Sequence, residues 1–127
     1  MEKAIELFAA VNFLVTGLSH VLQPRSWVEF FVWLRSKGHS GVFVNGLLSL
    51  GFGSIVVAFH NVWSGLPMVL TIVGWAHVAK ALLIFAAPQF GMRSLERVSP
   101  ERANEFVAAG GVLLALSALM WYLVLAR

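Results

Sequence analysis

Four long apolar stretches separated by short polar segments dominate this chain. The last, residues 106–126, carries no Asp, Glu, Lys, Arg or His over its whole length. A helix of about 20 apolar residues crosses the hydrocarbon core of a bilayer. On that scale the pattern predicts four spans, at about residues 4–22, 41–60, 66–87 and 101–126. Prolines mark the joints. Pro24 closes the first span, because a proline inside a helix removes a hydrogen bond. Asn61 to Gly65 reads as a tight turn, and Pro67 suits the first turn of the third span, where a missing N–H costs nothing. Pro88 stops that span. Ser99, Pro100 and Glu101 read as cap, first-turn proline and first-turn acid of the fourth.

Between the first two spans, residues 26–37 are too short and too charged to cross. Trp27, Phe30, Phe31 and Leu34 repeat at i, i+3, i+4, i+7 and form one apolar stripe. This predicts an amphipathic helix lying in the membrane interface with its tryptophans at headgroup depth. A helix tucked against the bundle end is the other reading of the same stripe. The fold class expected is therefore all-α: an integral membrane four-helix bundle with an interfacial helix between spans one and two. Residues 1–127 then make one transmembrane domain.

Composition agrees. Apolar residues make up 59% of the chain and charged ones 12%, against roughly half and a quarter in soluble domains. There is no Cys, so disulfides, thiolate metal sites and cysteine nucleophiles are excluded. All six acidic residues are Glu. The basic residues sit in short loops, which sets membrane orientation and gives no reason to expect a nucleic-acid partner. Side X, holding loops 23–40 and 89–104, carries Arg25, Arg35, Lys37, Arg93, Arg97 and Arg102. Side Y carries Lys3 and Arg127. Side X is thus expected to be cytoplasmic, with both termini outside, in the inner (plasma) membrane. Aromatic residues fit this layout, with Trp63, Trp121 and Tyr122 at side Y and Trp27 and Trp33 at side X.

Small residues at helical spacing let helices approach closely in lipid. Gly46, Ser49 and Gly53 form such a face on the second span, with Gly74 on the third and Gly110 and Gly111 on the fourth. Contact within one chain is the main reading, and a homo-oligomer interface the other. Polar residues also align. Asn12, Thr16, Ser19 and His20 share a face of the first span, and Asn45, Ser49 and His60 one of the second. His77 and Lys80 share a face of the third. These stripes are expected to converge on one polar seam, which either locks helix register or binds a ligand.

Lys80 lies well inside the third span, where a lysine at the bilayer centre costs about 2.5–3.5 kcal/mol. Glu105, about one turn into the fourth helix, is its expected counter-ion. A fixed positive charge for an anionic head group is the functional alternative. Four histidines raise a haem hypothesis, but His20, His60 and His77 lie at different depths and His39 lies in a loop. No bis-histidine pair is expected. A single-histidine tetrapyrrole site would fall on His77, and otherwise no cofactor is expected. No two His stand at i, i+4 and there is no thiolate, so no metal site is predicted. With no Asp, and no Glu expected to be buried beside a histidine, no catalytic triad or other catalytic residue is assigned.

Gly17-Leu-Ser-His20 followed by Pro24, the aromatic connector and the Gly-rich second span resembles the layout of DoxX-like small four-span bacterial membrane proteins. In that group a G-x-x-H at the end of the first span precedes a proline. The stretch His60-Asn61-x-Trp63-x-Gly65-x-Pro67, continuing to Thr71, Gly74-Trp75 and Lys80, resembles uncharacterised bacterial integral membrane proteins. The DoxX resemblance implies membrane redox or sulfur chemistry with partner proteins. This chain has no thiol to supply such chemistry, and no residue role carries over.

The function expected from the sequence is non-catalytic: an oligomer or an accessory subunit of a membrane-protein partner. Its seam, comprising Asn12, Thr16, His20, Asn45, Ser49, His60, His77, Lys80 and Glu105, would bind a lipid, a quinone or another amphipathic molecule. An oligomeric channel or transporter is the alternative, since so short a chain has no room for an internal repeat around a midplane site. A haem- or pigment-associated subunit is the third reading.

Overall fold

The computed structural model describes residues 1–126; Arg127, counted above on side Y, lies outside them. Six α-helices follow one another: α1 (Glu2–Leu22), α2 (Pro24–Ser36), α3 (His39–Phe59), α4 (Met68–Ala86), α5 (Pro88–Glu96) and α6 (Ala103–Ala126). A 3₁₀ turn at Pro100–Arg102 leads into α6. No strand occurs among the described residues. Helices α1, α3, α4 and α6, the last with its 3₁₀ turn, are long and apolar enough to cross a membrane. At most a third of the apolar window in each is buried. Large apolar side chains such as Val15, Leu22, Leu47, Leu82 and Val112 are exposed on the outer faces. A soluble monomer rarely leaves so much apolar surface uncovered.

Pro24 and Pro88 act as the sequence predicts, whereas Pro67 stands one residue ahead of α4 as its N-cap. Pro24 opens α2 directly after α1 ends. Ser99 stands extended ahead of Pro100, and its carbonyl, rather than its hydroxyl, accepts the Arg102 N–H at 3.0 Å. One element was not anticipated. Residues 88–96, read as part of a loop, form α5. Its apolar side buries Gly91 and Leu95 against the X end of the bundle.

The four long helices assemble as two pairs. Helix α1 packs mainly on α6, and α3 mainly on α4, both antiparallel. In each pair glycine sets the approach. A methyl group at Gly53 would stand 2.8 Å from the Gly74 carbonyl oxygen, and one at Gly110 would stand 2.8 Å from that of Gly17. Such backbone contact is how helices associate where no hydrophobic effect drives them. Across α1 and α6 the Ser117 hydroxyl also donates to the Ala10 carbonyl, at 2.8 Å and buried. Gly111, expected to join a small-residue contact, faces open space; it lies one position beyond the face that Gly110 presents.

Helices α1 and α3 meet only locally. Phe52 is the wedge between the pairs, with its ring 5.8 Å from Phe8, 5.5 Å from Phe13 and 5.0 Å from His77. Toward side Y one apolar cluster, including Ile5, Ala9, Phe13, Val56, Leu70 and Met120, closes the space between the pairs. At side X a second cluster of Leu34, Val42, Ile84 and Leu95 ties α2 and α5 to the hairpin of α3 and α4. The apolar stripe of α2 is thus largely spent on the protein. Leu34 is fully buried, while Trp27, Phe30 and Phe31 are half-buried. Arg35 fixes α2 to α5, donating to the carbonyls of Leu95 at 3.1 Å and Val98 at 3.0 Å. Between the two clusters the pairs stand apart and leave a cavity.

Candidate functional site

The cavity between the helix pairs has a volume of about 360 Å³. Asn12, Thr16 and His20 line it from α1, Ser49 and Phe52 from α3, His77 from α4, and Trp27 and Phe31 from α2. Five residues of the expected seam therefore meet here. Helical periodicity accounts for this: Asn12, Thr16 and His20 lie at i, i+4, i+8 on the flank of the α1 face that packs on α6.

Their hydrogen bonding is incomplete. Asn12 donates its amide to Phe8 O at 2.9 Å. His20 Nδ1–H donates to Thr16 O at 2.7 Å, and His77 Nδ1–H to Val73 O at 2.9 Å. A neutral imidazole that donates from Nδ1 has a lone pair on Nε2. Neither Nε2 has a hydrogen-bond partner among the described residues, nor do the hydroxyls of Thr16 and Ser49. Serine and threonine in helices commonly bond back to a carbonyl one turn earlier, and buried polar groups are normally paired. The cavity thus presents two imidazole acceptors and two hydroxyls to whatever fills it. His20 is held by stacking on Trp27, with centroids 4.1 Å apart, and Trp27 in turn donates to Ser19 Oγ at 2.8 Å. Sequence depth separated His20 from His77; one cavity touches both.

The other expected residues go elsewhere. Asn45 and Lys80 line a smaller groove of about 180 Å³ with Phe31, Ser94, Leu95, Val98 and Phe106. Glu105 does not pair with Lys80. It accepts from Arg97 at 3.0 Å in an exposed ion pair, because Arg97 follows α5 and reaches the start of α6 first. Glu105 and His20 line a third cavity of about 360 Å³ at side X.

His60 leaves the seam altogether. It is fully buried at side Y, where its Nε2 lies 3.1 Å from Glu6 Oε1 and its Nδ1 3.0 Å from Thr71 Oγ1. Glu6 and Thr71 are also fully buried. The Thr71 oxygen also accepts the Val62 N–H at 3.1 Å, which ties the α3–α4 turn to α4. The expectation that no buried carboxylate orients a histidine is therefore wrong. Glu6 was read as a surface residue from its place near a helix start. It belongs to the buried α1 face of Ile5, Ala9, Ala10, Phe13, Gly17 and His20. That 3–4 spacing was the signal in the sequence that identifies it. The Thr–His–Glu order has the form of a nucleophile–base–acid chain, but all three side chains are fully buried, so the cluster acts as a lock between α1, α3 and α4. Among the described residues no group of three or more His, Cys, Asp or Glu is arranged to hold a metal ion.

Comparison with known proteins gives no matching family, no similar curated protein and no similar solved structure.

Proposed function

We propose that this chain is a small multi-pass membrane subunit that binds the head of a neutral amphiphile, of the quinone and quinol class, between its two helix pairs. One observation carries the reading. Thr16, Ser49, His20 and His77 turn unused hydrogen-bonding capacity into a single mostly apolar cavity. Small-molecule sites are largely apolar, with a few convergent polar groups. A quinol hydroxyl would donate to an imidazole Nε2, and a quinone carbonyl would accept from Ser49 or Thr16. Trp27, Phe31 and Phe52 supply faces for the ring. No step of bond making is assigned to any residue, so the role is that of an accessory subunit or oligomer presenting a bound cofactor.

The test is quenching of tryptophan emission by a short-chain quinone, using the full chain in mild detergent. Saturable quenching is expected, and it should weaken about tenfold in Ser49→Val or His77→Leu, the worth of roughly one hydrogen bond. Linear, unsaturable quenching, or quenching unchanged by both substitutions, defeats the reading. The unbonded Nε2 of His77 also favours a second reading, single-histidine binding of a tetrapyrrole. An absorbance spectrum of the protein purified from its native membrane separates the two: a Soret or chlorin band supports the second reading, and its absence removes it.

A further inference from the structure

The groove around Lys80 is separate from the cavity just discussed, and it has a different chemistry. Lys80 is exposed on α4 and lies six residues before that helix ends at Ala86. This places its Cα about 9 Å below the X end of the span. A lysine stem reaches most of that distance, so its ammonium group can lie close to headgroup depth. No carboxylate lines the groove. The neighbouring cations are committed elsewhere: Arg35 to the carbonyls of Leu95, Glu96 and Val98, and Arg97 to Glu105. Lys80 forms no ion pair or hydrogen bond among the described residues. Beside it, Asn45 is 7% exposed and its amide has no hydrogen-bond partner. The Ser94 hydroxyl is likewise unbonded. The remaining wall, Phe31, Leu95, Val98 and Phe106, is apolar.

We propose that this groove is a binding site for the phosphodiester head of an anionic phospholipid from the X-side leaflet. Lys80 supplies the charge, the Asn45 amide and Ser94 hydroxyl donate to phosphate oxygens, and an acyl chain covers the apolar wall. A cation set among apolar side chains at this depth is satisfied by an anion that itself belongs to the membrane. Inorganic phosphate would meet the charge but not the apolar wall, and a fatty acid would meet both with a carboxylate. The site is independent of the quinone reading, because it shares only Phe31 with that cavity.

Native mass spectrometry of the full chain from mild detergent tests the proposal, with phosphatidylglycerol, phosphatidylcholine, palmitate and inorganic phosphate offered in turn. Phosphatidylglycerol should be retained over phosphatidylcholine by about fivefold or more, the worth of one basic side chain near an anionic surface. That preference should vanish in Lys80→Gln, weaken in Asn45→Leu, and survive in Lys80→Arg and in Arg93→Gln, whose cation lies outside the groove. Loss of preference in Arg93→Gln to the same extent as in Lys80→Gln would mean diffuse charge attraction and overturns the site. So does equal retention of the two lipids by the native chain, or displacement by inorganic phosphate alone. Stronger retention of palmitate than of phosphatidylglycerol overturns the phosphodiester. Should Lys80→Gln fail to fold, the native chain and Lys80→Arg still decide, since a missing preference in either rejects the proposal. Quinone quenching measured on the same samples is expected to be unchanged in Lys80→Gln, which keeps the two readings separable.

Discussion

Glu6 and His60 face each other at 3.1 Å with neither side chain exposed. The contact ties the start of α1 to the end of α3. Removing either side chain breaks this contact inside a fully buried cluster. His60→Leu is therefore expected to cost about 3–5 kcal/mol, while Glu6→Leu combined with His60→Leu recovers much of the loss. Thermal unfolding of His60→Leu, Glu6→Leu and the double variant in detergent checks this; additive losses would contradict it. The pair was hidden in the sequence because its members lie 54 positions apart, and no spacing rule links them. The members of the cavity were more visible. Asn12, Thr16 and His20 repeat at one-turn intervals, and polar side chains within an apolar run stand out against it. What periodicity did not reveal is which polar residue meets which. Lys80 and Glu105 looked matched only because both sit near side X, and the intervening α5 brings Arg97 to Glu105 instead.

Among the elements, the four long helices were legible because lipid imposes a length and an absence of charge, and both can be read by eye. Their observed bounds fall within about two residues of those expected. Helix α5 was not legible: its nine residues are few, its charge is mixed, and prolines lie at its start and shortly beyond its end. Neighbouring glycines separate structural from incidental use. Gly110 abuts the α1 backbone, whereas Gly111 meets nothing within 4 Å. Gly110→Leu should push α1 and α6 apart and lower the melting temperature sharply. Gly111→Ala should be neutral or stabilise by up to about 1 kcal/mol, the helix preference of alanine over glycine. Equal effects of the two would mean that α1 and α6 do not cross at Gly17.

For the whole molecule, the layout places the Trp63–Gly65 turn on side Y and the α2–α3 joint on side X. The chain has no cysteine, so introduced thiols report without background. On the expected orientation, Ser64→Cys should react with a membrane-impermeant maleimide added outside intact cells, and Ser36→Cys only after lysis. Reaction of both from outside would reject the layout, and the reverse pattern would invert its orientation. The pairing of α1 with α6 has a further consequence for biogenesis. Helix α1 finds its principal neighbour only when α6 has been made, about a hundred residues later. Until then its buried face, with Glu6 and the Gly17 backbone, lacks its cover. A ribosome stalled before α6 would therefore hold an orphan segment for quality-control proteases, even with the α3–α4 hairpin already complete.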